Sequence, residues 1–251
     1  MRNIKIVIEY DGTKYKGWQY QKDFPTIQGE IEKAAYKFLK PVSRIKGASR
    51  TDSGVHAIAQ VANIKCESSL TEIEIKEAFN FYLPDDIFVK EVHDVSPRFN
   101  ARFSATSKIY LYRVLIGYSP LLFNRVWMIR NRIDVVLMKD VIKFFMSVDD
   151  FCHFTKIYDE NTKIKIQRFS YKVDTDFSGN TEYLFFIEAP KFLYRMVRRI
   201  IGAVVDVSTG KRTFQELKDL VKGADVRDFK PALTSGLYLY RVNYEKGKIF
   251  M

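Results

Sequence analysis

Cysteine and histidine are scarce in this 251-residue sequence, which contains two cysteines and three histidines. Cys66 and Cys152 form no Cys-x-x-Cys pair, and His56, His93 and His153 do not have the spacing of zinc ligands. A disulfide framework and a zinc site are therefore both excluded, and we expect no bound metal ion.

Long hydrophobic runs are also missing, since none reaches the roughly 18 residues of a membrane-spanning helix. The first ten residues include Glu9, where a secretory signal peptide would stay apolar. Seven prolines, twelve glycines, 47% hydrophobic and 28% charged residues exclude collagen-like and disordered chains. We therefore expect a globular protein in the cytoplasm, with no membrane partner.

Acidic residues are fewer than basic ones: the sequence has 30 Asp and Glu but 41 Lys and Arg, which gives a formal charge of +11. Phosphate backbones favour such a surplus, since each neutralised phosphate releases bound counterions. Nucleic acid is thus the first partner that the composition suggests, although net charge alone also fits an ordinary basic surface.

Hydrophobic periodicity predicts an α+β protein. Period-two alternation predicts strands over 4–10, 57–65, 87–92, 108–118, 164–173, 183–189 and 237–244. Helical spacing and capping patterns predict helices over 27–39, 71–83, 135–148 and 190–204, and a fifth beginning at Thr213. No low-complexity linker or fixed-period repeat interrupts the pattern. We therefore predict two α/β domains, 1–105 and 106–251.

The helix predicted to begin at Pro190 carries four cations on one face. Lys191, Arg195, Arg198 and Arg199 follow the spacing i, i+4, i+7 and i+8. Such a stripe fits either a solvated helix face or a surface that contacts phosphates.

The densest polar cluster runs from Gly47 to Ala57 and reads Gly-Ala-Ser-Arg-Thr-Asp-Ser-Gly-Val-His-Ala. Taken alone, Asp52 followed by Ser-Gly is ordinary turn chemistry. Arg50 and Thr51 lie directly before it and form a group that could keep its carboxylate ionised and fix the direction of that carboxylate. Loops between rigid elements often present catalytic groups.

This segment resembles the signature of the TruA family of tRNA pseudouridine synthases, whose usual form is Gly-Arg-Thr-Asp-Ala-Gly-Val-His-Ala. The resemblance spans essentially the whole chain, because further family blocks follow in the expected order. They are 10–13, 17–19, 28–29, 83–87, 98–105, 108–112, 150–154, 192–198 and 236–239. Ser49 replaces a usual Gly, Ser53 a usual Ala and Asn100 a common His, and none of these departures touches the carboxylate.

The resemblance implies isomerisation of uridine to pseudouridine at positions 38 to 40 of the tRNA anticodon arm, without a cofactor. The family's nucleophile corresponds to Asp52, a carboxylate suited to covalent catalysis. It attacks either C6 of the base or the sugar, and the sequence does not choose between them. Tyr110 corresponds to the tyrosine that stacks on the base and serves proton transfer, and Arg198 to the basic partner of the aspartate. From the residues alone, Tyr110 also fits sheet packing and Arg198 a solvated helix face.

The resemblance also implies RNA contacts by Arg50, beside the flipped nucleotide, and by Lys191, Arg195 and Arg199 at phosphates. For His56 we favour a structural, hydrogen-bonded role.

The implied fold has two ferredoxin-like or RRM-like α/β domains, whose largely antiparallel sheets join around a central basic cleft that holds Asp52. The implied assembly is a homodimer that binds tRNA. Two other readings of the sequence stay open, a related synthase with another RNA target and an RNA-binding module without catalysis.

Overall fold

The structure, a computed structural model, describes residues 1–155 and 161–245, which contain five α-helices and ten mostly antiparallel strands. The mixed α+β class is therefore confirmed. The chain divides into two compact units, one formed by residues 1–108 with the strand that begins near Tyr238, the other by 109–237. The predicted division at residue 105 left that last strand in the second domain, whereas the structure assigns it to the first unit. Residues 156–160 and 246–251 of the predicted second domain lie outside the described residues.

The first unit holds two helices and most of the strands. Its helices are α1 (Ile27–Phe38) and α2 (Glu72–Tyr82). Its strands are β1 (Arg2–Tyr10), β2 (Lys40–Pro41), β3 (Lys46–Gly47), β4 (His56–Glu67), β5 (Ile87–Val95), the start of β6 (Ala105–Ile116) and β10 (Leu237–Tyr244).

Strand β1 is central in this unit because it pairs antiparallel with both β4 and β5. On the other side of β4, β10 runs parallel to it, with Tyr238 opposite His56 and Leu239 opposite Ala57. The alternation that predicted β1 places Ile4, Ile6 and Ile8 in the core, where none has exposed surface. Burying each such side chain contributes about 1.5–3 kcal/mol.

Side-chain caps fix where the helices begin. Thr71 accepts a hydrogen bond from the Glu74 N–H, and the Glu74 carboxylate accepts one from the Thr71 N–H. The Thr71 N–H and the Thr71 hydroxyl both donate to this carboxylate and thereby lower the pKa of Glu74. Thr213 and Glu216 repeat the arrangement at the fifth helix, so both predicted capping boxes are confirmed.

The second unit contains the remaining helices and strands. Its helices are α3 (Val135–Ser147), α4 (Met196–Ser208) and α5 (Phe214–Val221). Its strands are the rest of β6, β7 (Trp127–Ile129), β8 (Arg168–Thr175) and β9 (Thr181–Ala189). They follow the order β6, β9, β8, with β7 parallel to β6. Short 3₁₀ turns occur at Pro120–Leu122, Cys152–Phe154 and Thr234–Gly236.

Helix α4 begins six residues later than predicted. Helical spacing suggested a start at Pro190, but Arg195 has a left-handed φ of 59° and caps a helix whose first residue is Met196. A non-glycine residue in this conformation interrupts a right-handed helix, so residues 190–195 do not continue α4.

Within the described ranges, no helix is both long and apolar enough to cross a membrane.

Helix α4 is the most deeply buried helix of its unit, and Gly202 allows an irregular segment to lie directly against it. A Cβ at Gly202 would lie 2.1 Å from the Lys230 carbonyl oxygen, a backbone atom. The same segment is joined to the helix by the Ala232 N–H, which donates to the Arg198 carbonyl at 2.8 Å.

Gly202→Ala should therefore destabilise the protein, although Gly→Ala inside a helix usually stabilises by about 0.5–1 kcal/mol. The overlap with the Lys230 carbonyl forces the segment off the helix, and overpacking of this kind costs about 1–3 kcal/mol. Thermal melting followed by circular dichroism should show a Tm lower by roughly 3–10 °C. A raised Tm would contradict the close approach.

Candidate active site

Asp52 lies in the loop between β3 and β4, which we call the Asp52 loop (residues 48–55). The side chain is half-buried, and Arg50, two residues earlier, is exposed. The Asp52 carbonyl accepts from the Val55 N–H at 3.1 Å, and Gly54 has a φ of 75°. The turn expected from Asp-Ser-Gly is thus present in the backbone.

The start of the Asp52 loop is held by the buried amide of Gln60. Its Oε1 accepts from the Ser49 N–H at 3.2 Å, and its Nε2 donates to the Ser49 carbonyl at 2.7 Å. Gln60 has no exposed surface. The side chain therefore pairs with the loop backbone as a neighbouring strand would, which limits its movement.

A second segment, residues 10–18, packs along the loop, and we call it the supporting segment. The Trp18 N–H donates to the Thr51 carbonyl at 3.0 Å, and the Gly54 N–H donates to the Tyr15 carbonyl at 3.3 Å. The Ser53 hydroxyl reaches the same Tyr15 carbonyl at 3.2 Å. Both flanks of Asp52 are thus bonded to one segment.

Two glycines make this approach possible. A Cβ at Gly12 would lie 2.0 Å from the Val55 carbonyl oxygen, and one at Gly17 would lie 2.6 Å from that of Thr51. Gly17 also has a backbone φ of 92°, a value that residues with a side chain rarely adopt. The sequence singled out both positions as family blocks but gave them no role, because their closeness to the loop arises only in the folded chain.

His56 serves the same framework. Its Nδ1 lies 3.1 Å from the Gly12 nitrogen and 3.0 Å from an Asp11 carboxylate oxygen. The ring stacks on Tyr238 with centroids 4.7 Å apart and is 1% exposed. These contacts agree with the structural role that we favoured for this histidine.

A cationic pair in the first unit was not singled out by the sequence reasoning. Burial, together with the charge of Arg102, lowers the pKa of the half-buried Lys108 to about 8. Arg102 is itself exposed and lies over the Phe103 ring at 5.5 Å. Both cations lie in segments that resemble family blocks, 98–105 and 108–112. That resemblance was the only feature of the sequence that pointed to them.

Tyr110 lies in the second unit, on β6, and is 7% exposed. Its ring meets Phe192 edge-to-face, with centroids 5.0 Å apart. This contact fixes the plane of the ring. The segment before α4 therefore contacts β6 through Phe192.

Arg198 lies in the first turn of α4, where its Nε donates to the Ala232 carbonyl at 2.7 Å. On β6, the Tyr112 hydroxyl donates to the adjacent Leu233 carbonyl at 2.6 Å. Burial raises the pKa of Tyr112, and the charge of Arg198 opposes that shift. The segment around residues 232–233 therefore holds the guanidinium and the tyrosine hydroxyl from one backbone.

The other predicted cations do not form the expected stripe. Lys191 lies before the helix and donates to the Asn161 carbonyl at 2.8 Å, while Arg195 is exposed over the Tyr194 ring. Arg199 is only 3% exposed and bonds to the His153 carbonyl and the Asp228 carboxylate. The prediction of a solvent-facing stripe that includes Arg199 is wrong, because α4 turns that position into the core.

The predicted site residues thus occur in two groups. Arg50 and Asp52 belong to the first unit, and Tyr110, Lys191, Arg195, Arg198 and Arg199 belong to the second. Among the described residues, no group of three or more His, Cys, Asp or Glu side chains is arranged to hold a metal ion.

Comparison with known proteins accounts for nearly the whole chain. A family model described as tRNA pseudouridine synthase matches residues 6–104 and 145–245. A Thermoanaerobacter protein named tRNA pseudouridine synthase A is 38% identical over 250 residues, covering 97% of this chain and all of that protein. The Clostridium perfringens protein named tRNA pseudouridine synthase A 2 is 39% identical over 90% of this chain and 92% of its own length.

A more distant relative gives the same result. The Aquifex aeolicus tRNA pseudouridine synthase A is 34% identical, covering 96% of this chain and 99% of its own. Together with the family model, these matches establish the resemblance first seen around Asp52: the chain belongs to the tRNA pseudouridine synthase family.

Proposed function

We propose that this chain isomerises uridine to pseudouridine in tRNA, at positions 38, 39 and 40 of the anticodon arm. The observation that carries the proposal is the Asp52 loop, with the family's Arg-Thr-Asp sequence held rigidly by the supporting segment. Relatives named tRNA pseudouridine synthase A, matched over nearly their whole length, support an isomerase that acts on tRNA.

The chemistry is balanced without a co-reactant. The N1–C1′ bond of uridine breaks and a C5–C1′ bond forms, while the C5 hydrogen leaves as a proton and N1 takes up a proton. Asp52 serves as the nucleophile, forming a temporary bond to C6 of the base or to C1′ of the sugar. No electrons are exchanged with a cofactor in either route.

Tyr110 and Arg198 are assigned to the same reaction. The Tyr110 ring stacks on the uracil and its hydroxyl takes part in proton transfer. Arg198 holds Asp52 ionised and fixes its angle, because an opposite charge favours the carboxylate form. Support comes from the ring contact with Phe192 and the bond to Ala232, which restrict both side chains before substrate arrives.

RNA contacts are assigned to exposed or partly exposed cations. Arg50, next to the nucleophile, is exposed and contacts the flipped nucleotide or the space that it leaves. Arg195 and Lys191 contact phosphates. Arg199 is omitted, because a guanidinium that is buried against Asp228 is not available to RNA.

The finer architecture and assembly also belong to the proposal. Each unit is a ferredoxin-like domain, the two flank a basic cleft, and the protein acts as a cytoplasmic homodimer. The formal charge of +11 supports binding to a nucleic acid. The exposed aromatic rings of Tyr36, Phe81 and Tyr82 on the first unit's helices support a protein contact.

Asp52→Asn should abolish turnover and preserve tRNA binding, since it removes the nucleophilic charge and keeps the shape. Tritium release from transcripts labelled at uracil C5 should fall by at least about a thousandfold. Ser53→Ala is the matched control. It removes the hydroxyl that donates to the Tyr15 carbonyl, but the Gly54 N–H still donates to the same carbonyl and keeps the loop in place. That control should stay within about threefold of the unmodified protein. Near-normal release by the Asn variant would remove the nucleophile assignment.

Transcripts that carry a single anticodon-arm uridine, at position 38, 39 or 40, should each be converted. Mass spectrometry of nuclease fragments after chemical labelling of pseudouridine measures the conversion at each position. Conversion only at other positions would indicate a different RNA target. Tight binding of all three transcripts without conversion would indicate a binding module.

Arg198→Ala should lower kcat by about a hundredfold or more, because it removes the partner of a partly buried carboxylate. Arg195→Ala is the control, as an exposed cation that precedes the same helix, and it should act mainly on KM. Single-turnover rates and tRNA binding measured separately distinguish the two effects. Equal kcat values for the two variants would show that both cations only bind RNA.

A further inference from the structure

Thr51, the residue directly before Asp52, is fixed from two directions. Its carbonyl accepts from the Trp18 N–H at 3.0 Å, and its Oγ1 is hydrogen-bonded to the Tyr10 hydroxyl at 2.7 Å. Thr51 is 6% exposed and Tyr10 is 3% exposed, so this hydroxyl pair is shielded from water. A shielded hydrogen bond holds its partners more firmly than an exposed one.

Tyr10 is itself held by the sheet. It is the last residue of β1, where it lies opposite Ala57 on β4 and Ile87 on β5, just after a shift in register on the β4 side. Its ring lies 6.3 Å from the Trp18 ring. The hydroxyl is therefore presented to Thr51 from a rigid strand end, and not from a mobile loop.

The far side of the supporting segment is anchored in a similar way. The Tyr15 hydroxyl donates to the Asp86 carboxylate, and the Asp11 N–H donates to the Asp86 carbonyl at 2.9 Å. Tyr15 in turn accepts from Ser53 and Gly54 after the nucleophile. Movement of the loop on either side of Asp52 thus requires movement of the supporting segment.

We propose that the Tyr10 hydroxyl is a positioning group for catalysis, which sets the direction of the Asp52 carboxylate by fixing Thr51 from the end of β1. The inference rests on the proposed function only in taking Asp52 as the nucleophile. Misplacing a reacting group by about 1 Å costs about a hundredfold in rate. Loss of the Tyr10 bond alone should lower the rate by less than a hundredfold, because the Trp18 N–H still holds the Thr51 carbonyl.

The test is Tyr10→Phe, which removes one oxygen and keeps the packed ring. We expect kcat for tritium release to fall about tenfold, while KM changes less than twofold. Tyr244→Phe is the matched control, because it removes a partly buried hydroxyl that donates to the Ala101 carbonyl at 2.7 Å in the same unit. The control should lose a similar amount of thermal stability and keep its kcat.

Variants of Thr51 separate positioning from general stability. Thr51→Ser keeps the oxygen that bonds to Tyr10 and should retain kcat within about threefold. Thr51→Val keeps the shape without the oxygen and should match the loss of Tyr10→Phe. Because both variants break the same bond, the double variant should lose no more than either single one.

Hydrogen exchange gives a readout that does not depend on turnover. In Tyr10→Phe, the amides of Trp18, Gly54 and Val55 should exchange at least about fivefold faster, whereas Tyr244→Phe should leave them unchanged. Unchanged exchange or unchanged kcat in Tyr10→Phe would overturn the inference. An unmodified protein that forms no pseudouridine, with the amides still responding to Tyr10→Phe, would overturn the proposed function while supporting the positioning of the loop.

Discussion

Close approach of two backbone segments is the constraint on which the first unit depends. The supporting segment and the Asp52 loop lie so near each other that Gly12 and Gly17 have no room for a Cβ. Gly47 at the base of the loop is similarly constrained, since a Cβ there would lie 2.4 Å from the Trp18 ring. Backbone hydrogen bonds between the two segments define the course of the loop, and the buried side chains of Gln60 and Tyr10 add to them. The backbone on both sides of Asp52 thus has a defined course, and under the proposed function this reduces the reorganisation needed during reaction.

The second unit reaches a similar result by different means. The segment around residues 230–233 lies against α4 at Gly202, and its carbonyls accept from Arg198 and from Tyr112. A helix end and a strand are thus joined by one stretch of irregular backbone. Irregular segments have few regular hydrogen bonds of their own, so bonds to ordered elements are what give this one a defined shape. Both units therefore fix their family residues through backbone carbonyls of a neighbouring segment.

Local patterns in the sequence were sufficient for most elements and for the turn in the Asp52 loop. The alternation over 237–244 gave β10 its observed bounds, and the capping patterns at Thr71 and Thr213 gave the starts of two helices. The segment 190–195 was predicted wrongly, because helical spacing reveals neither the left-handed backbone at Arg195 nor the contact between Phe192 and the distant Tyr110. The burial of Arg199 was missed for a related reason, since its charge suggested solvent and its partner Asp228 lies 29 residues away. Contacts between distant residues leave no local period, so the parallel pairing of β10 with β4 was not foreseen either.

The position of β10 also has a consequence for the order in which the protein is made. Residues 1–108 leave the ribosome early, yet the strand that completes their sheet begins near Tyr238, roughly 130 residues later. At about 5–20 residues per second, that interval lasts roughly 6–26 s. During this time β4 exposes unpaired N–H and C=O groups near His56, which are open to pairing with another chain. The two-residue edge of β4 at His56 and Ala57 therefore lacks its partner in the sheet until the β10 segment has been made.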